Sequence, residues 1–224
     1  MGIRVGMVCE GSYDYNVIEK FVQRICEESN VVLDTFDCLQ PEVSATFQTS
    51  DGGWTKVKSW CERGGGKFYR QFFDEPLFGS SKQYDLIIVH LDGDVAQICE
   101  EAPLTGLKLA GLAPSKAVEA IKSAILNNWL SLEEVHNSKV VACVPVRHLE
   151  AWLLTCLDPS TKKPESKPTK YQFRMGPAKK YPGKERDRYI AAAGDAVSNL
   201  VALRNLCVSY QMFEADFRIA ASAP

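Results

Sequence analysis

Two short apolar runs, IRVGMV at residues 3–8 and YDLIIVHL at residues 84–91, each stop at an acidic turn. Glu10-Gly11 follows the first and Asp92-Gly93-Asp94 the second. Runs this short, bounded by turn residues, predict strands buried on both faces. A helical pattern follows the first run, from about Tyr13 to Glu28. Its apolar positions Val17, Ile18, Phe21, Val22, Ile25 and Cys26 form one stripe. Ser12 is expected as its N-cap, with Asp14 in the first turn, where the helix dipole favours a carboxylate.

The same reading places strands at Val31–Leu39 and Lys139–Val146. Helices are expected at Pro114–Leu130, Leu149–Leu157 and Glu185–Val208, and the tail adds one more. Short helices at Trp54–Cys61 and Phe68–Phe73 fall in an insertion, and residues 95–113 read as a loop. Strands separated by helices imply parallel pairing through right-handed crossovers. The expected class is α/β, a Rossmannoid sandwich with a mainly parallel central sheet, a helical insertion and C-terminal helices. Residues 1–160 would form the core, with the insertion at about 40–82. Residues 161–184 would be a basic loop, and residues 185–224 helices packed on the same domain. Functional groups are expected at the carboxyl ends of the strands.

Apolar residues make up 46% of the 224 and charged residues 24%, enough to build a core and to exclude wholesale disorder. A net charge of −2 excludes a generally basic, histone-like protein. No apolar run approaches the ~18 residues of a membrane span. The first fifteen residues lack a signal peptide's apolar segment. The expectation is a soluble cytoplasmic protein. Cysteines stand at 9, 26, 38, 61, 99, 143, 156 and 207, with no CxxC pair, so neither a zinc ribbon nor a thioredoxin site is indicated. Beside apolar neighbours they read as buried, reduced thiols.

Charge is concentrated in one place. Residues 161–190 carry ten Lys or Arg against three Asp or Glu, a balance of +7 that leaves −9 for the rest of the chain. Four prolines and two glycines there oppose regular structure and predict a long loop. Lysines and arginines neutralise phosphates, and aromatics such as Tyr171 and Phe173 stack on unpaired bases. Lys162, Lys163, Lys167, Lys170, Arg174, Lys179, Lys180 and Lys184 are therefore candidate nucleic-acid contacts. A solvated loop without a partner is the plainer alternative.

Glu10, Asp92 and Asp94 all stand at strand ends. Clustered carboxylates repel one another unless a cation sits among them. Mg²⁺ prefers hard oxygen ligands and keeps waters that a substrate phosphate can replace. Gly93 would let the chain bend so that both aspartates face one ion. The simpler alternative is that the pair caps a turn. Gly64-Gly65-Gly66-Lys67 falls short of a P-loop, because Cys61 stands where its first glycine belongs and Phe68 where it needs Ser or Thr. His148-Leu149-Glu150 lacks the downstream PCxxC of zinc deaminases. His90, inside a strand, reads as a core residue or as support for the acidic site.

VCEGSYDYNVIEKF and LIIVHLDGD together resemble the Toprim domain, in which a strand ending in Glu-Gly precedes an amphipathic helix and a later strand ends in Asp-x-Asp. The resemblance implies an acid/base role for Glu10 and metal binding by Asp92 and Asp94. A narrower resemblance is to the DUF4276 and RloB-like group of prokaryotic defence loci. It is carried by VPVRHLEAWLL and, more loosely, by VSYQMFEADFR. It implies that Glu150 is a fourth carboxylate of the site, whereas burial statistics alone would leave it an exposed helix residue.

The expected function is Mg²⁺- or Mn²⁺-dependent phosphoryl transfer on DNA or RNA, most simply hydrolysis by a nuclease, with a role in anti-phage defence by family analogy. Asp92 and Asp94 would hold the metal, with Glu10 as ligand or general base and Glu150 nearby. Asp14, His90, Arg147 and His148 would support them. The alternative is a non-catalytic Toprim-like module that binds nucleic acid or a partner and works beside a separately encoded ATPase. Nucleotidyl transfer is a third option. A homo-oligomer is compatible with either of the first two, and no membrane association is expected.

Overall fold

The structure is a computed structural model that describes residues 2–40, 53–63, 66–74, 83–94, 109, 111–158, 160–166 and 169–222. Its centre is a four-stranded, all-parallel sheet in the order β2-β1-β3-β4. The strands are β1 (Ile3–Val8), β2 (Leu33–Gln40), β3 (Leu86–His90) and β4 (Val140–Cys143). The two runs that end in acidic turns are neighbours in the middle, with Val5 opposite Leu86 and Val8 opposite Val89. Their carboxyl ends therefore emerge side by side.

Alternation along the strands sends side chains to two cores. Val5, Met7, Cys9, Leu86, Ile88, Val141 and Cys143 face one helical layer. Val8, Ile87, Val89, Leu91, Val140 and Ala142 face the other. Both faces are covered, which is why these strands read as continuous apolar runs.

The first layer holds α1 (Ser12–Ser29), whose predicted stripe is buried in full. Gly11, not Ser12, is its N-cap residue, in extended conformation and without a side-chain cap. Asn30 ends the helix in the left-handed region (φ 55°), and the Val31 N–H returns to the Cys26 carbonyl at 2.9 Å. The same layer contains α4 (Glu150–Leu157), to which the chain returns after β4. The second layer holds α2 (Trp54–Glu62) and α3 (Pro114–Ser123), the latter continued by a π-helical turn at Ala124–Trp129.

Beyond α4 the structure departs from expectation. Residues 161–184 are not a bare loop. They contain 3-10 turns at Pro164–Ser166 and Pro177–Lys180 and a short helix, α5 (Lys170–Met175). Pro164 and Pro177 sit at turn starts, where a missing N–H costs nothing, and Phe173 is fully buried. The helix expected at Glu185–Val208 is two, α6 (Glu185–Ala196) and α7 (Leu200–Leu206), followed by α8 (Val208–Ser222). Ser198 and Asn199 turn back onto Asp195 and Ala196 at the break.

Trp152 of α4 ties that helix to α8. Trp152 is fully buried, donates its indole N–H to Ser209 Oγ at 2.9 Å, and meets Phe21, Tyr210 and Phe213. Glu165 accepts the N–H groups of Val208 and Ser209, at 2.9 and 3.0 Å, and so caps α8. Of the described cysteines, Cys9, Cys26, Cys61, Cys143, Cys156 and Cys207 are buried, Cys38 is half-buried, and all are free thiols. Cys99, most of the 95–113 segment and much of the 40–82 insertion lie outside the described residues. Among the described residues no helix is long and apolar enough to cross a membrane.

Candidate metal centre

The chain beyond β3 does not splay away from its neighbour. Leu91 N–H bonds to the Cys143 carbonyl at 3.1 Å, Gly93 N–H to that of Pro145 at 3.0 Å, and Asp94 N–H to that of Arg147 at 3.1 Å. Asp92 and Asp94 are thereby laid alongside the turn that leads to His148. Gly93 is needed for closeness, not for a sharp bend. A Cβ there would lie 2.2 Å from the Val146 carbonyl oxygen and 2.6 Å from that of Pro145, and Gly93 is not among the positive-φ glycines.

One ligand atom each from Asp92, Asp94 and His148 lies within 4.8 Å of the others, a group that could hold a metal ion. His148 Nδ1 is 3.2 Å from Asp94 Oδ2 and 3.8 Å from Asp92 Oδ2. It is buried and makes no directed hydrogen bond, so the imidazole nitrogen is left to an electrostatic partner. Of the expected set Glu10, Asp92 and Asp94, the two aspartates fall in this group, and His148 stands beside them as a further candidate ligand. It arrives there because the β4–α4 turn runs parallel to the Asp-x-Asp segment.

Glu10 stands directly behind the group. Its Oε1 accepts the Asp92 N–H at 2.8 Å. Burial, and then the charge of Asp92, push its pKa up to about 7, against the opposing pull of His90. Asp14, in the first turn of α1, is likewise pushed to about 7 by burial and by Asp92 and Glu150. Asp92 goes the other way. Burial disfavours its charge, but the imidazoles of His148 and His90 outweigh that and hold it well below the usual carboxylate range. Leu149 N–H also donates to Asp92 Oδ1 at 3.0 Å.

His90 is fully buried, and its Nε2 is 3.5 Å from Asp92 Oδ1. Burial opposes its charge, yet Asp92, Asp14 and Glu10 raise its pKa to about 9. It is therefore an internal counter-cation beneath the carboxylates. The His148 pKa is raised too, chiefly by Asp92. Two imidazoles whose pKa values are raised and two carboxyls that resist ionisation describe a site crowded with acidic groups.

Comparison with protein-family models, with curated proteins and with solved structures found no match. The chemistry of the site is therefore read from the geometry of these side chains.

Glu150 is buried, not an exposed helix residue, and its Oε1 accepts the Tyr189 hydroxyl at 2.6 Å. Tyr189 comes from α6 and stacks on Tyr13 of α1 at 5.2 Å. The reading of the residues missed this tyrosine as a site partner, since it lies 39 positions along the chain. Arg147 contributes its carbonyl to the Asp94 bond.

The basic candidates differ in their surroundings. Lys170 lies at the start of α5. Partial burial disfavours its ammonium, but the charges of Glu150, Asp92 and Asp14 outweigh that and raise its pKa. Arg174 pairs with Glu185 at 2.8 Å. The Lys184 N–H is accepted by Asp187 at the start of α6. Lys162, Lys163, Lys179 and Lys180 are exposed, and Lys167 lies outside the described residues.

Proposed function

We propose that this chain is a Toprim-like, metal-dependent phosphoryl-transfer enzyme acting on nucleic acid, a nuclease in its simplest form. The observation that carries the reading is the convergence of Asp92, Asp94 and His148 at the carboxyl end of β3, with Glu10 hydrogen-bonded behind them. That is where parallel sheets place their chemistry.

Two carboxylates and an imidazole fit a divalent cation of intermediate hardness. The nitrogen donor favours Mn²⁺ over Mg²⁺ more than three carboxylates would. Such an ion, when bound, polarises a phosphate and acidifies an attacking water. Asp92 and Asp94 would hold it from one side and His148 from the other. Glu10, with a pKa of about 7, is suited to take or return a proton at neutral pH. His148 and His90 both favour the charged form of Asp92. Lys170 would offset negative charge on a phosphate brought over Glu150.

The test is purified protein incubated with Mn²⁺ or Mg²⁺ and mixed DNA and RNA, with a chelator control and the Asp94→Asn variant alongside. Cleavage supported by either ion, stronger with Mn²⁺, abolished by chelation and lost in the variant is expected. Cleavage that survives in Asp94→Asn rules the assignment out. Binding of nucleic acid without turnover would leave the non-catalytic module.

A further inference from the structure

Away from the carboxylates, a cleft of about 590 Å³ opens between the C-terminal end of α4, the 160–166 segment and α5. Sites for small organic ligands have volumes of about 300–1,000 Å³. One wall is apolar, built by Leu154, Met175 and Pro177. Met175 is 48% exposed, a large apolar side chain left uncovered.

The rest of the lining is polar. Lys162 and Lys163 are exposed and make no ion pair among the described residues. Lys163 is held in the left-handed region (φ 52°), which lysine seldom adopts. Its carbonyl accepts both the Ser166 N–H, at 3.1 Å, and the Ser166 hydroxyl, at 2.8 Å. Thr169 lines the same cleft, is 1% exposed, and its Oγ1 has no hydrogen-bond partner among the described residues. Buried hydroxyls normally find a partner, so this one is short of a group that a ligand would bring.

Asp158 also lines the cleft. Its Oδ1 accepts the Ser160 N–H and hydroxyl, at 3.0 and 2.7 Å, and Lys180 lies near it. A fixed carboxylate beside two unpaired lysines would repel a bare anion. It suits a ligand that carries both an anionic group and hydrogen-bond donors.

We propose that this cleft binds a nucleoside phosphate, with the base against Leu154, Met175 and Pro177 and the phosphate met by Lys162 and Lys163. Thr169 and Asp158 engage its polar groups. The unit is supplied as a free nucleotide or as the unpaired end of a nucleic-acid strand. The cleft shares α5 with the acidic site, since Thr169 lines it while the adjacent Lys170 is influenced by Glu150 and Asp92. The inference itself rests on the cleft and not on the metal chemistry.

The experiment measures binding of two probes by fluorescence anisotropy, N-methylanthraniloyl-ATP and a 5′-phosphorylated, fluorescein-labelled oligothymidylate. Wild type, the double variant Lys162→Glu/Lys163→Glu, Met175→Asp, Asp94→Asn alone and with each of these cleft substitutions, and the remote control Lys116→Glu are compared. Circular dichroism checks that each is folded. Wild type is expected to bind at least one probe, and the one preferred identifies the source. The double variant and Met175→Asp should each weaken binding about tenfold or more. Lys116→Glu should leave binding within about twofold, and the cleft substitutions should weaken binding by the same factor in an Asp94→Asn background as in wild type, which separates this site from the metal centre. Absence of binding to both probes at about 1 mM, or binding indifferent to both cleft variants, overturns the proposal.

Discussion

The carboxylate of Glu10 accepts the backbone N–H of Asp92 at 2.8 Å, tying the ends of β1 and β3 together across 82 positions of chain. Glu10 stands behind the Asp92, Asp94 and His148 group and is not one of its three ligand atoms. Glu10→Gln keeps the acceptor and removes the base. Cleavage should fall on the order of 100-fold or more, while Mn²⁺ affinity, read by electron paramagnetic resonance, stays within about threefold. Loss of Mn²⁺ binding in this variant would make Glu10 a ligand after all.

Gly93 lies where two backbone segments pack closely beside the candidate metal centre. A methyl group there would press on the carbonyls of Val146 and Pro145. Gly93→Ala should cost about 1–3 kcal/mol in urea unfolding and weaken Mn²⁺ binding, because relieving the clash moves the two aspartates away from His148. A variant as stable as wild type would show that the two segments separate freely.

Trp152 joins α4 to α8 through Ser209 and three aromatic neighbours. Trp152→Ala should lose about 3–5 kcal/mol by denaturant unfolding. Trp152→Phe, which keeps most of the apolar volume and loses the indole N–H, should cost clearly less. Equal losses would mean that the hydrogen bond, not packing, dominates.

Glu214 accepts from Arg204 Nε at 2.8 Å and from Arg218 at 2.6 Å. Burial alone would raise its pKa, but the two guanidinium groups outweigh that and lower it. A carboxyl with a folded pKa below its unfolded one adds stability that is present above the unfolded value and lost as pH falls through the folded value. Glu214→Gln should therefore be less stable than wild type at neutral pH, by on the order of 1 kcal/mol. The gap should close as the pH is lowered through and below the normal carboxylate range. Thermal melts of both proteins across that range check the sign. A gap that widens on acidification would contradict it.

Much of the fold was legible because its signals are local. The 3–8 and 84–91 runs, the stripe from Val17 to Cys26 and the order of elements are enough for parallel strands under helices. The basic stretch misled because proline and glycine speak only against long helices. Short turns with prolines at their starts escape that reading, and so does Phe173, whose burial depends on α6. Ser12 was misjudged as a cap for a similar reason, since one residue's offset decides which side chain reaches the free N–H groups.

Within the site, Asp92 and Asp94 were readable from a buried strand that ends in Asp-Gly-Asp. The approach of His148 to them was not, because its place depends on three backbone hydrogen bonds between segments about fifty residues apart. Tyr189 and Lys170 come later still, from helices placed only by packing against α4.

By itself, then, the amino-acid order determined the strands, their parallel pairing and the presence of carboxylates at their ends, all of which follow from short-range periodicity and turn chemistry. Tertiary structure alone decided which side chains share one charge environment: His148 beside the aspartates, Glu10 behind them, Tyr189 on Glu150. Electrostatic coupling depends on distance through space, and distance between remote segments is set only once the two cores on either side of the sheet have packed.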